Sequence, residues 1–156
     1  MRVELWAIGK TNESYLETGM AIYEKRLGHY LPFGSNIIPS PKLKTTDGQI
    51  MRQEESKIIL SKLLPDDYLV LLDERGQQFT SMAFAKWMEH RLTDSRRRMV
   101  FLIGGAFGFS QEVYQRANAQ ISLSTLTFSH QMVRLFFLEQ LYRAMTILKG
   151  ENYHNE

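Results

Sequence analysis

The chain has 156 residues, 44% of them apolar, which fits a single globular core, and we expect residues 1–156 to form one domain. It has no cysteine, which excludes disulfides, thiolate nucleophiles and cysteine zinc sites, and its formal net charge of +2 is too small to establish a polyanionic partner. An apolar run of about 18 residues and a secretory leader pattern are both missing, so we expect no membrane span and a cytoplasmic location.

The first half of the chain alternates strand and helix patterns. Apolar residues predict strands at 3–8 and 33–38, and helical periodicity predicts helices at 12–28 and 49–64. Prolines, lysines and a closing glycine at 39–48 predict a mobile loop between them.

The second half continues the same alternation. A nearly continuous apolar run at 68–73 predicts a strand covered on both faces. The later pattern predicts helix 80–92, strand 98–103, helix 110–118, strand 120–124 and helix 131–148. Five strands that alternate with helices predict an α/β fold, in which helices sandwich a mostly parallel sheet.

Three segments leave strands at the carboxyl edge of this predicted sheet, where parallel sheets bind ligands. They follow Asp73, Ile103 and Leu123. The second reads "IGGAFGFS", an apolar strand that breaks into glycines before a helix with Ser110 as its expected N-cap. We expect the three segments to converge on a site. The alternative is that the glycines make only a tight turn.

The motifs at this edge exclude the commonest ligand sites. The glycine spacing does not fit G-x-G-x-x-G, no G-K-[ST] occurs, and the four histidines form no H-x-x-x-H pair, so neither a phosphate loop nor a metal site is expected. The loop after the last strand interleaves hydroxyls with apolar groups, which suits a loop that contacts a purine by its backbone. Its alternative interpretation is a plain connector with buried Leu126 and Phe128.

Four motifs in order resemble the ribosomal RNA large subunit methyltransferase H family of the SPOUT class. They are "LLDERG", "FLIGGAFGFS", "LSTLTFSHQMVRLFFLEQLYRAMTI" and "GENYHNE", and the likeness runs the whole length. The resemblance implies methyl transfer from S-adenosylmethionine to ring nitrogen N3 of a pseudouridine in large-subunit (23S) ribosomal RNA, within the assembled ribosome. It also implies a homodimer with its active site across the interface and a C-terminal trefoil knot, which the residues alone would not suggest.

The resemblance also implies which residues contact the cofactor. We expect these contacts at Leu72, Gly104, Gly105, Gly108, Leu123, Ser124, Thr125, Leu126, Thr127 and Phe128. The chain departs from the family pattern at two places. Ala106 and Phe107 stand where the family often has Pro-Glu, and Ser129 stands where it usually has proline. Ala106 lacks the fixed φ of proline, which alters the rigidity of the loop.

Methylation of an imide nitrogen requires a base for its proton or a cation for the resulting anion. The candidates are His130, Arg134, Arg143 and His154, and the resemblance adds Tyr153, so that His130, Arg143, Tyr153 and His154 form our expected catalytic set. Which of them acts on the proton stays open, and Arg143 has a surface salt bridge as its alternative. The polar tail after Gly150 is expected to order only by docking onto substrate, cofactor or a second subunit.

Small basic patches favour an RNA partner, although each has a solvated surface as its alternative. They comprise Arg91 with residues 96–98, Lys25 with Arg26 and His29, and Lys42 with Lys44. The last helix is apolar nearly all round, which predicts burial either by a second subunit or within one core. Two other functions compete, namely a non-enzymatic RNA-binding module and a small nucleotide-binding phosphotransferase, although the latter lacks a phosphate cradle.

Overall fold

A computed structural model describes residues 1–155, in which five strands alternate with five helices. The predicted order of elements is confirmed, and most boundaries agree within two residues. In chain order the elements are β1 (Arg2–Ile8), α1 (Ser14–Leu27), β2 (Phe33–Ile38), α2 (Gly48–Lys62), β3 (Tyr68–Gln78), α3 (Ser81–Leu92), β4 (Arg98–Ile103), α4 (Gln111–Arg116), β5 (Ala119–Ser122) and α5 (Met132–Leu148).

The five strands form one parallel sheet in the order β2-β1-β4-β3-β5. The central strand β4 is buried from Met99 to Ile103, because helices cover both faces of the sheet. Alternate residues of each strand face the two layers, so that Phe101 belongs to the core under α1, α3 and α5, and Leu102 to the core under α2 and α4. The predicted α/β sandwich is therefore confirmed.

Strand β3 is longer than its apolar run predicts. It continues through polar residues to Gln78, and both Leu72 and Gln77 pair with Ile121, so residues 73–76 leave the ladder between them. A β-carbon on Gly76 would lie 2.6 Å from the backbone nitrogen of Ile121. Glycine is therefore required where this excursion passes the backbone of β5.

The helix ends follow local capping rules. Thr80 accepts from the Ala83 amide and Ser110 from the Val113 amide, which confirms both as N-caps. Asp47 caps α2 in the same manner. Within residues 1–155, none of the helices has the length and apolar character needed to cross a bilayer.

Candidate cofactor and active site

The three strand-end segments meet around one cavity at the carboxyl edge of the sheet. It has a volume of about 1270 Å³ and is lined chiefly by residues 72–75, 103–109, 123–124 and 126–130. Small-molecule sites usually measure roughly 300–1,000 Å³. The cavity therefore has room for a cofactor together with part of a substrate.

Helix α2 holds the glycine segment in place from behind. Arg52 Nη1 donates to the Phe107 carbonyl at 3.1 Å, and the Ser110 hydroxyl donates to Ser56 Oγ at 2.8 Å. The Gly108 amide donates to the Gly105 carbonyl at 3.1 Å, and Gly108 has φ of +78°, which favours glycine. The segment is thus a shaped loop with its backbone exposed to the cavity.

The glycines of this loop have different surroundings. A β-carbon on Gly104 would lie 3.1 Å from the Phe109 ring, and one on Gly105 would lie 2.6 Å from the Glu55 carboxylate. A β-carbon on Gly108 would meet nothing within 4 Å. A side chain at position 104 would therefore act on the cavity by displacing Phe109, which itself lines the cavity.

The hydroxyls of the loop before α5 order the loop itself. Ser124 Oγ accepts from the Leu126 amide at 3.0 Å, and Ser129 Oγ accepts from the Met132 amide at 2.9 Å. Thr127 Oγ1 donates to Glu74 Oε2 at 3.0 Å, which ties the loop to the β3 excursion. Thr125 is exposed and is absent from the cavity lining.

The apolar residues of this loop are more exposed than a plain connector allows. Leu126 is 75% exposed, so the interpretation that it is buried is wrong. Phe128 is half-buried and packs on Phe136, with 5.0 Å between the ring centroids. Both Leu126 and Phe128 line the cavity, where they offer apolar contact to a flat ligand.

A tyrosine on α4 joins the charged groups that follow β3, a contact that the sequence analysis missed. The Tyr114 hydroxyl donates to Asp73, and Arg75 Nη2 donates to the Tyr114 oxygen at 2.5 Å. Burial raises the pKa of Asp73, but the hydrogen bonds from Tyr114 and Arg75 outweigh burial and hold this pKa below its usual value. Burial and the bond to Asp73 raise the pKa of Tyr114. The hydrogen bonds from Tyr114 and Arg75 therefore favour the ionised form of Asp73.

Arg134 is a clamp and does not reach the cavity. It is 0% exposed and donates to the carbonyls of Ile8, Gly9 and His130 and to Thr11 Oγ1, at 2.7 to 3.0 Å. Burial lowers its pKa. Its hydrogen bonds join the end of β1 to the start of α5, so Arg134 positions His130 and is wrong as a candidate that stabilises the substrate.

The four expected catalytic residues lie in two places. His130 lines the cavity, whereas Arg143, Tyr153 and His154 do not. These three gather around Glu139, whose Oε1 accepts from Arg143 Nη2 at 2.7 Å and from the Tyr153 hydroxyl at 2.9 Å. Arg143 Nη1 lies 3.1 Å from His154 Nδ1. We call this group, Glu139 with Arg143, Tyr153 and His154, the tail cluster.

Glu151, Tyr153 and His154 contact their own chain, so the expectation that the tail orders only by docking elsewhere is wrong. The Glu151 carboxylate accepts from the Tyr30 hydroxyl at 2.7 Å, which raises the pKa of Tyr30 to about 12. The Tyr153 ring stands edge-on to Tyr142 at 4.8 Å, and the Arg143 guanidinium lies 4.8 Å from the Tyr153 ring centroid. Burial, followed by hydrogen bonding, raises the pKa of Tyr153. Aromatic and charged contacts therefore order the tail.

The expected RNA patches are partly used within the fold. Arg98 Nε donates to Asp67 Oδ1 at 2.9 Å, and Arg96 donates to the Asp67 carbonyl at 3.3 Å. The Arg26 guanidinium lies 5.3 Å from the Tyr23 ring centroid. Two arginines of the 96–98 run thus stabilise the amino edge of the sheet.

Helix α5 is buried chiefly within the core of its own chain. Phe137, Leu138 and Leu141 are fully buried, whereas Phe136 is 44% exposed on the side of the cavity loop. One core therefore explains most of its apolar surface. Within residues 1–155, the side chains of His, Asp and Glu form no group of three or more suited to a metal ion.

Comparison with known proteins identifies the family. A sequence profile described as "Predicted SPOUT methyltransferase" matches residues 1–154. Three similar proteins each carry the name ribosomal RNA large subunit methyltransferase H. The protein of Cytophaga hutchinsonii is 52% identical over 99% of this chain and 100% of its own length. That of Christiangramia forsetii is 50% identical over 99% of both, and that of Parabacteroides distasonis is 48% identical over the whole of both.

These matches extend over the strands, the cavity loops and the tail cluster alike, since they span nearly the entire chain. The predicted resemblance is confirmed. The chain belongs to the SPOUT methyltransferases and, within them, to the ribosomal RNA large subunit methyltransferase H family.

Proposed function

We propose that the protein transfers a methyl group from S-adenosylmethionine to N3 of a pseudouridine in 23S ribosomal RNA, within the assembled ribosome of the cytoplasm. The observation that carries this proposal is the meeting of three strand-end segments around one large cavity, in a chain of this family. Relatives named as ribosomal RNA large subunit methyltransferases support the class of substrate. The family also implies a C-terminal trefoil knot.

The volume and the lining of the cavity support S-adenosylmethionine as the cofactor. The backbone of Gly104, Gly105 and Gly108 borders it, and no side chain fills the space beside Gly108. Apolar Phe109, Leu126 and Phe128 suit the faces of a purine ring. Leu72, Leu123, Ser124 and Thr127 complete the proposed cofactor contacts, whereas Thr125, which was also expected to contact the cofactor, does not line the cavity.

The protein's task in such a transfer is mainly to align the reactants. When bound, S-adenosylmethionine would supply an electrophilic methyl group for the imide nitrogen, with the neutral thioether as the leaving group. The cavity loops would position this group, so that orientation provides much of the rate. The imide proton must leave, which requires a base or a nearby cation. His130 is the histidine that lines the cavity.

The tail cluster would supply the remaining charge from a second subunit. Arg143 is a permanent cation whose orientation is set by Glu139, and it lies outside the cavity of its own chain. We therefore propose a homodimer in which the tail cluster of one subunit faces the cavity of the other. The exposed Phe136, beside the cavity loop, supports an interface on this face of α5.

Calorimetry and a transfer assay test the proposal together. The protein should bind S-adenosylmethionine and S-adenosylhomocysteine but not ATP, and should incorporate tritiated methyl into ribosomes that lack the modification. An RNA-binding module would bind neither cofactor, and a phosphotransferase would bind ATP. Absence of methyl incorporation by a folded protein that binds the cofactor would overturn the proposed substrate.

A further inference from the structure

A carboxyl group lies directly behind the glycine loop of the cavity. Glu55, on α2, is only 7% exposed. A β-carbon built on Gly105 would lie 2.6 Å from Glu55 Oε2 and 3.1 Å from Oε1. The carboxylate therefore packs against Gly105, which itself lines the cavity.

Within residues 1–155, the Glu55 side chain has no hydrogen-bond or ion-pair partner. Its neighbours on α2 are engaged elsewhere. Arg52 donates to the Phe107 carbonyl, Ser56 accepts from Ser110, and Glu54 pairs with Lys57 on the surface. Burial of an unpaired carboxyl group is costly, and burial raises the pKa of Glu55. The fold thus holds a carboxyl group without a protein hydrogen-bond partner against Gly105.

We propose that Glu55 is a specificity-determining residue that favours the positively charged methyl donor over the product with its neutral sulfur. The inference rests on the proposed function. Donor and product share the adenosine and the amino-acid group, and they differ by the methyl group and the positive charge on sulfur. Glu55 does not line the cavity. It therefore acts by its charge across Gly105, against which it packs. In a partly dry site, such a charge is weakly screened.

This arrangement would favour release of the product and its replacement by the donor. Loss of the methyl group removes the positive charge from sulfur, and the attraction to Glu55 ends with it. The carboxylate therefore strengthens binding of the donor more than binding of the product. Glycine is required at position 105, because any side chain there would collide with the Glu55 carboxylate.

Calorimetry at pH 8 with S-adenosylmethionine and S-adenosylhomocysteine tests the inference. The ratio of the product Kd to the donor Kd should fall roughly tenfold in Glu55→Gln, since the charge that attracts only the donor's sulfur is removed. Glu54→Gln removes the same charge from the exposed face of the same helix and should leave the ratio unchanged. Glu55→Asp keeps the charge and should keep most of the ratio.

The outcomes separate this inference from the proposed function. An unchanged ratio in folded Glu55→Gln would overturn it, and so would an equal loss of affinity for both ligands, which would mark Glu55 as a packing residue of the loop. If Glu55→Gln fails to fold, Glu55→Ala, which also removes the charge, should show the same fall in the ratio, and an unchanged ratio there overturns the inference. Failure of the wild-type protein to bind either ligand would overturn the proposed function itself.

Discussion

The cavity and the tail cluster are built in opposite ways. The cavity has space, exposed backbone and apolar faces, and His130 is its expected catalytic group. The tail cluster has charged and hydroxyl groups in contact, with Arg143 and Tyr153 both bonded to Glu139, but it borders no part of this cavity. One region is shaped to hold ligands and the other to hold charge. The difference agrees with the proposal that each chain carries two half-sites, which two subunits combine.

Arg143→Ala should have the largest effect and should separate the role of the tail cluster from that of the cavity. It should lower methyl transfer by about 10²–10³, because a cation oriented towards the developing charge is lost. The affinity for S-adenosylmethionine should stay the same, since Arg143 lies outside the cavity of its own chain. Single-turnover methylation and calorimetry measure the two effects. A matching loss of cofactor affinity would place Arg143 in the cofactor site instead.

Gly104→Val should damage the other half-site. The added side chain would meet the Phe109 ring, which lies 3.1 Å from a β-carbon at this position, and would push it into the cavity. Affinity for S-adenosylmethionine should fall by about 100-fold or more, about 2.7 kcal/mol, by calorimetry. Unchanged affinity in a folded variant would remove the glycine loop from the cofactor site.

Tyr153→Ala tests whether the tail cluster is a packed part of the fold. It removes the ring contact with Tyr142 and the hydrogen bond to Glu139, so the free energy of unfolding should fall by about 2 kcal/mol. Tyr153→Phe keeps the ring and should lose about 1 kcal/mol, for the hydrogen bond alone. Urea unfolding measures both. A wild-type stability for Tyr153→Ala would mean that the tail contributes nothing to the folded chain.

Asp73→Asn should have the smallest effect, about 1 kcal/mol of stability. The pKa of Asp73 is lowered in the folded protein, so its contribution is present above the unfolded pKa of about 3.9 and is lost as pH falls through the folded value. The stability difference between wild type and variant should therefore shrink below about pH 4. Denaturation at pH 7 and pH 3 measures this, and a difference that grows at pH 3 would contradict the sign.

The sequence predicted the sheet and the cavity because both follow from local patterns. Apolar runs mark the buried strands, and parallel strands bring their carboxyl ends to one edge, which places the glycine segment in the site. The polar extension of β3 to Gln78 was missed, because its pairing depends on β5 rather than on its own apolar pattern. Only the fold reveals that neighbour.

The tail and Arg134 show why charged groups are harder to predict. Arg134 is satisfied by backbone carbonyls of Ile8 and Gly9, more than a hundred residues away in the chain, and any residue type could supply these carbonyls. The tail has a polar sequence, and its order comes from Tyr30 and Tyr142, which no local pattern connects to it. Glu55 is likewise an ordinary helical glutamate until the fold places Gly105 against it.

A complementation assay tests the two half-sites most directly. Gly104→Val and Arg143→Ala chains, co-expressed, should form mixed dimers in which one of the two sites is intact. Tritiated methyl incorporation into ribosomes that lack the modification should then recover to roughly a quarter of the wild-type rate, since about half of the dimers are mixed and each holds one complete site. Incorporation no greater than the mean of the two variants alone would contradict a site shared between subunits.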